Sequence, residues 1–526
     1  MGETMIGVKR LAGAAPVAVL TAALLTTAGT AHAQRPPPAT SPSPAVAQAA
    51  EASTVGRFNA VAKDRAQLRL FLRAMPKGGD LHNHLSGAAY AEDFLAWADE
   101  GGLCVTTDVL PSIVPGPCDA PGRVPAKGLA AANTGLYNRA INALSMRNYD
   151  AGADGAMASG HDQFFATFGR FGAAGDGKLG ALLAVAREYA AGDTVGYVET
   201  SVNPTAMGEL AWSFSDTPWT DDFAGALAAI KPRLPAMVAQ ARQEFDAAEA
   251  DADRRQGCLA QKPRTGPCAV VLGYQGFAVR ILKPSVVFAQ LASAFALAQA
   301  DPRFVGVNIV APEDHPVSLS DYRLHMRMLQ YLHAQYPDVK LSLHAGELTL
   351  GLVTPRELRF HVREAVETAG ARRIGHGVDI AYEDGANDLL ARMARDKVAV
   401  EINLTSNDVI LGVKGADHPL HLYRKAGVPF VLSTDDEGVS RIDLTNEYLR
   451  AVTEQGLTYL DLKAAARASL EYSFLPGPSL WTAPKTPVAA CAKAGPACDA
   501  FLAGSRKATA QWRLEREFAA FEASGR

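Results

Sequence analysis

Eight short strand-like runs, most of them carrying β-branched residues, recur along this chain, and most are separated by stretches of helical periodicity. They are LHNHL at 81–85, VGYVETSV at 195–202, AVVLGYQGFAVRI at 269–281, VGVNIV at 305–310, VKLSLHAGE at 339–347, RIGHGVDI at 373–380, VAVEINLTSN at 398–407 and PFVLSTDDEGV at 429–439. Helical stretches at 285–299, 320–335, 355–369 and 384–396 fall between them. Strand–helix alternation implies parallel strands with right-handed crossovers, and a count of eight favours an α/β fold closed as a (β/α)8 TIM-type barrel. An open doubly wound sheet would need a glycine-rich phosphate turn after its first strand, and SGAAYAED at 86–93 is not one.

Composition removes other classes. With 48% hydrophobic and 20% charged residues, the chain is neither mainly disordered nor fibrous. Lys plus Arg is 51 against 55 Asp plus Glu, with no concentrated basic run, which sets aside nucleic acid and anionic membranes as partners. At the N-terminus, Lys9 and Arg10 precede an uncharged stretch at 11–31 that closes on Ala31-His32-Ala33. This is the order of a secretory signal at 1–33 with cleavage after Ala33, giving a secreted or periplasmic protein with no stable membrane association thereafter. Residues 34–50, rich in Pro, Ser and Ala, read as a disordered linker. The barrel domain is expected over 51–475. It opens on an amphipathic helix over 53–75 with Phe58, Val61, Leu68, Leu72 and Met75 on its apolar face, and a C-terminal extension at 476–526 carries a helix near 500–522.

The six cysteines suit an oxidising compartment. Of the fifteen connectivities open to six cysteines, the nearest-neighbour set is expected: Cys104–Cys118, Cys258–Cys268 and Cys491–Cys498. Pro and Gly flank each pair and can turn the chain back. The first two pairs lie in segments too long for ordinary barrel loops, 102–160 and 240–268, which therefore read as stapled insertions.

His82 and His84 are two apart in a strand, so their side chains share a face. His344 ends another strand with Glu347 three residues on, His376 sits between two glycines in a third, and Asp435 and Asp436 end the eighth. A barrel gathers such positions at its C-terminal mouth. Three imidazoles and a carboxylate suit Zn2+ with a position left for water, whose pKa zinc lowers to about 7. A nearby Glu and His can then move protons, so the spacing describes a metal-dependent hydrolase. The two aspartates have a plainer reading as caps for a helix starting near Ser440 or Asp443. His325, His333 and His361 fall in helices and read as solvated or locally bonded. His418 and His421 are weak candidates for a second metal site, His315 for the pocket lining, and His161 has no assigned place.

These motifs resemble the adenosine deaminase family of the amidohydrolase superfamily. The matching stretches are MPKGGDLHNHLSGA at 75–88, SLHAGE at 342–347, RIGHGV at 373–378, TSN at 405–407 and STDD at 433–436. The Cys-bearing insertions, the signal and VNIVAPED at 307–314 look closer to the secreted, growth-factor-like branch. The resemblance implies that His82, His84, His344 and Asp435 hold one zinc per chain. Glu347 would protonate the purine ring nitrogen beside the reacting carbon while hydroxide attacks the carbon bearing the amino group. His376 would steer and deprotonate the water, and Asp436 would bond the imidazole side of the purine. Catalysis would rest on Glu347, His376 and Asp435, and substrate contact on His84, Ser86, Ala311 and Asp436. Ser86 stands where many members carry an acidic residue and Ala311 where the family has Gly, while Leu404 and Glu437 replace Pro. The implied reaction is hydrolysis of adenosine or deoxyadenosine to inosine-type product and ammonia. The alternatives are another aminopurine, such as adenine or an N6-substituted nucleoside, and a non-enzymatic nucleoside-binding or signalling protein. The partner is a small purine nucleoside, and a homodimer is a further expectation. The polynucleotide deaminase signature is absent.

Overall fold

Each of the eight runs overlaps a strand: β1 (Gly78–His84), β2 (Val195–Ser201), β3 (Val271–Val279), β4 (Phe304–Val310), β5 (Ser342–Ala345), β6 (Arg373–His376), β7 (Ala399–Ile402) and β8 (Phe430–Leu432). The computed structural model describes residues 44–149, 159–483 and 486–525. The signal-like stretch 1–33 and linker residues 34–43 lie outside them. The strands pair in parallel as β1-β2-β3-β4 and β5-β6-β7-β8. Parallel bridges Val307↔Leu341 and Asn83↔Asp435 join the two sheets at both seams, so the eight close into a barrel and the open-sheet alternative falls.

Helices form the outer ring. Pro284–Ala300 is apolar nearly all round and buries Val286, Val287, Phe288, Leu291 and Phe295. A helix buried on most of its circumference must lie between the strands and further helices. Among the described residues no helix is long and apolar enough to cross a membrane.

Four expectations need correction. The entry helix starts at Pro44, within the segment read as a linker, and it is two helices, Pro44–Val61 and Arg65–Ala74. Asp64 starts the second by accepting the N–H groups of Ala66 and Gln67, a local bond that apolar periodicity does not register. The segment 240–268 is only partly an excursion. Most of it belongs to the helix Leu234–Arg255, which buries Ala241, Phe245, Ala248 and Ala252 and packs on the helix Leu179–Gly192. The C-terminal extension carries Pro496–Ala503 and Arg506–Ala523 in place of one helix, the second capped by Ser505. The fourth concerns histidines. His325 and His361 are fully buried, and His315 caps its own helix by accepting the Val317 N–H.

The three disulfides are the nearest-neighbour set. Cys104–Cys118 staples a small antiparallel sheet of Cys104–Thr106, Ile113–Val114 and Arg123–Pro125, the core of the first insertion. Cys491–Cys498 anchors a satellite cluster with Leu480 and Ala508.

His325 yields a stability prediction. Neither ring nitrogen has a hydrogen-bond partner, and burial, with the Arg280 charge adding to it, pushes the imidazole down to about 3. Below pH 6.5 the unfolded chain takes up a proton that the native state refuses, so the native state loses ground as pH falls toward 3. Urea unfolding at pH 7 and pH 5 is expected to show wild type losing about 2 kcal/mol more than His325→Leu over that interval. Equal losses would mean that the buried imidazole does not resist protonation.

Candidate active site at the barrel mouth

The seam between β8 and β1 builds the site. The Asp435 N–H donates to the His82 carbonyl at 2.8 Å, and the Asp435 carbonyl accepts the His84 N–H at 3.2 Å. This pairing sets the Asp435 carboxylate between two imidazoles, with Oδ1 3.4 Å from His82 Nε2 and 3.2 Å from His84 Nε2. From β5, His344 brings its Nε2 to 3.1 Å from that of His84. At the end of β6, His376 Nε2 lies 3.8 Å from Asp435 Oδ2 and 3.6 Å from Glu347 Oε1. Asp436 follows with Oδ1 buried and without a hydrogen-bond partner. A Cβ at Gly87 would overlap that oxygen, so a side chain at position 87 would displace the Asp436 carboxylate.

Three of the rings are oriented from behind. His82 Nδ1 meets Glu401 Oε2 at 2.7 Å, His344 Nδ1 meets Asn308 Oδ1 at 3.0 Å, and His376 Nδ1 meets Asn407 Oδ1 at 2.9 Å. Each acceptor requires an Nδ1–H, which leaves the Nε2 lone pair facing the centre. The Nε2 atoms of His82 and His376 are buried without partners. Ligand atoms of His82, His344, His376 and Asp435 fall within 4.8 Å of one another, as do those of His84, Asp435 and Asp436. Converging imidazole lone pairs with a carboxylate between them fit a zinc-type cation. All four residues that the resemblance nominates as ligands meet here, with His376 equally close.

Electrostatics divides the carboxylates. Burial alone would raise Asp435, but its close contacts with His82 and His84 and attraction from His82 and His376 hold it well below the usual range. Burial, with the Asp435 charge beside it, pushes Asp436 well up. Burial also raises Glu347, helped by Asp435 and Glu313 and opposed by His376 and Arg280. Burial lowers His344 well below its ordinary value, helped by the neighbouring rings. The site therefore holds one ionised carboxylate beside two carboxyls biased toward their protonated form.

The backbone is strained where the chemistry gathers. Ala311, His376 and Asp435 adopt positive φ, 88°, 70° and 61°, at the ends of β4, β6 and β8. Each costs about 1 to 3 kcal/mol, which the surrounding structure must supply. Ala311 keeps this conformation with its carbonyl bound by Arg280 Nε at 2.7 Å. Ser86 is exposed in the short helix Leu85–Ala88 just beyond β1. Asp443, and not Asp435 or Asp436, caps the following helix, through the Asn446 N–H. His418 is buried and bonded to Asn407, His421 binds the His418 carbonyl, and neither joins a metal-competent group among the described residues. His161 pairs with Asp314 at 2.9 Å.

Five supporting residues escape the sequence pattern: Arg280, Asn308, Glu313, Glu401 and Asn407. Polar residues inside otherwise apolar strand runs, as in VGVNIV and VAVEINL, were the available signal. Glu313 is the most engaged. Its carboxylate accepts the backbone N–H groups of Gly346 and Glu347 at 3.1 and 2.8 Å and meets His361 Nδ1 at 2.6 Å. Arg280 Nη1 lies 3.7 Å away and Arg280 Nη2 3.8 Å from Glu347 Oε2. Burial opposes the Glu313 charge, yet Arg280 and His361 hold the carboxyl down at about 2. Replacing Glu313 with Ala leaves Arg280 and two backbone donors uncompensated in the core. A loss of about 3 to 5 kcal/mol is expected in denaturant unfolding. A loss below about 1 kcal/mol would show that the Gly346–Glu347 turn does not depend on this carboxylate.

Residues 268–480 match the adenosine deaminase family model. The chain is 35% identical over 138 residues to the adenosine deaminase of Yersinia pseudotuberculosis, covering 26% of this chain and 38% of that protein. It is 30% identical over 183 residues to that of Clostridium perfringens, covering 35% of this chain and 52% of that protein. The matches thus span between two fifths and about half the length of these relatives. The adenine deaminase structure from Arthrobacter aurescens aligns over 84% of this chain and 98% of its own, at 14% identity and a TM-score of 0.50, a likeness of fold. Over residues 268–480 the chain is thus similar to the adenosine deaminase family.

Proposed function

We propose that this protein is a zinc-dependent aminohydrolase that converts adenosine or deoxyadenosine, with water, into the corresponding inosine and ammonia. The observation that carries this reading is the pairing of Glu347 with His376 Nε2, 3.6 Å apart beside Asp435, in a chain whose residues 268–480 match the adenosine deaminase family model. His82, His84, His344 and Asp435 would hold one zinc, which when bound supplies a water acidic enough to react at neutral pH. Glu347, kept toward its protonated form by burial, delivers its proton to the ring nitrogen beside the reacting carbon. His376 Nε2, its lone pair held inward by Asn407, takes the proton of the attacking water. Asp436, raised by burial and by Asp435, donates from its carboxyl to a nitrogen on the imidazole side of the purine. The three disulfides support placing the enzyme in a secreted or periplasmic setting.

A second reading keeps the chemistry and changes the aminopurine. Ala311 puts a methyl group where the family carries Gly, and Ser86 brings no acidic group for a sugar hydroxyl. Both favour testing adenine and N6-substituted nucleosides beside adenosine.

The zinc-loaded protein is expected to remove the adenosine ultraviolet absorbance band and to release ammonia, with the highest kcat/KM in the panel on adenosine or deoxyadenosine. Glu347→Gln is expected to retain zinc by metal analysis and to lose about 10²- to 10⁴-fold in kcat. Wild-type turnover in that variant would remove Glu347 as the proton donor. An inert, folded, zinc-loaded wild type would exclude the aminopurine panel.

A further inference from the structure

A buried polar line runs from the mouth of the barrel to its floor. Glu401, on β7, binds His82 Nδ1 through Oε2 at 2.7 Å. Its Oε1 accepts Ser342 Oγ at 2.7 Å and Arg373 Nε at 2.5 Å. Arg373, at the start of β6, spreads its fork away from the site. Nη2 donates to Glu199 Oε2 on β2 at 2.6 Å, and Nη1 donates to the Tyr472 carbonyl at 2.9 Å. Glu199 Oε1 in turn accepts the Tyr197 hydroxyl at 2.9 Å and the Phe474 N–H at 2.5 Å. The Phe474 ring lies under the guanidinium, 3.7 Å from its Cζ. Side chains of His82, Glu401, Arg373 and Glu199 are at most 1% exposed.

Glycines make the line continuous. A Cβ at Gly375 would stand 2.6 Å from His82 Cε1, and one at Gly306 would stand 2.6 Å from Phe474 Cδ2. Either side chain would displace a ring at one end of the line.

One guanidinium held between two buried carboxylates fixes all three planes. Removing either carboxylate leaves an uncompensated charge that the other partners must relax to meet. Glu401 cannot turn toward or away from His82 without altering its bond to Arg373, and Arg373 is pinned by Glu199 and by the segment that leads into the C-terminal extension.

We propose that Arg373 and Glu199 are positioning residues for the His82 imidazole, so that metal affinity at the mouth is set partly from the floor of the barrel by the Tyr472–Phe474 segment. This rests on the zinc reading of the site given above.

The test is zinc affinity and release in the full-length protein, measured by competition with a chromogenic chelator, for wild type, Glu401→Gln, Arg373→Lys and Glu199→Gln. The visible spectrum of the cobalt-loaded proteins reports the ligand field. Each variant is expected to weaken zinc binding by about 10- to 100-fold, the usual effect of losing an outer partner of a metal-bound histidine. Each is also expected to alter the cobalt spectrum. Glu199→Gln combined with Glu401→Gln is expected to fall short of the product of the single effects, since Glu199 reaches His82 only through Arg373 and Glu401. Leu329→Ala, a cavity variant in the outer helical layer away from the line, controls for general destabilisation and is expected to lower Tm with zinc affinity and spectrum unchanged. Wild-type affinity and spectrum in Glu199→Gln, with Glu401→Gln impaired, would confine the effect to Glu401 and overturn the proposal alone. A wild-type protein that binds no zinc would overturn the zinc reading and the proposal together.

Discussion

The backbone pairing of Asp435 with His82 and His84 is the bond on which the rest depends. It is the last seam of the barrel, and it also sets the carboxylate among the imidazoles. Architecture and chemistry therefore share residues: a chain that failed to close would separate Asp435 from the two β1 histidines, which stand far away at positions 82 and 84 of the sequence. No local element could make this site, because its groups come from β1, β5, β6 and β8 and meet only when all eight strands are in register.

Closing the ring through functional residues has a conformational cost. Ala311, His376 and Asp435 leave the extended region at the strand ends, and the supporting bonds around them explain how they persist. Arg280 ties down the Ala311 carbonyl, Asn407 the His376 ring, and Ser406 donates to Asp435 Oδ2 at 2.6 Å. The barrel interior accordingly carries buried charge, with Glu199, Arg280, Glu313, Arg373 and Glu401 all covered. Charge is tolerated there because guanidinium and carboxylate groups are matched through several bonds, as they are around Arg373 and Arg280.

Sequence pattern recovers the parts of this molecule that repeat. The strand-like runs mark all eight strands, and histidines and carboxylates placed late in those runs mark the residues that converge. Strand ends are less legible. HAGE, GHGVDI and STDDEGV look like continuations of strands, but positive φ at Gly346, His376 and Asp435 ends the ladder early. Glu313 and Arg280 are invisible for a different reason: each acts on its neighbours only after three strand ends have been packed together. The split between Val61 and Arg65 escapes periodicity because one Asp64 carboxylate, and no change in apolar spacing, restarts the helix. Buried His325 and His361 look like surface histidines because helical position alone does not say which face is covered.

The three staples have a consequence for how the chain reaches its native state. They close loops of 14, 10 and 7 residues, each within a single excursion from the barrel. Every cysteine is thus joined to its nearest neighbour along the chain. Effective concentration falls as the connecting segment lengthens, so the correct partner is also the one each thiol meets most often before any tertiary structure exists. Among fifteen pairings the native set is the one that proximity along the chain favours before the barrel closes.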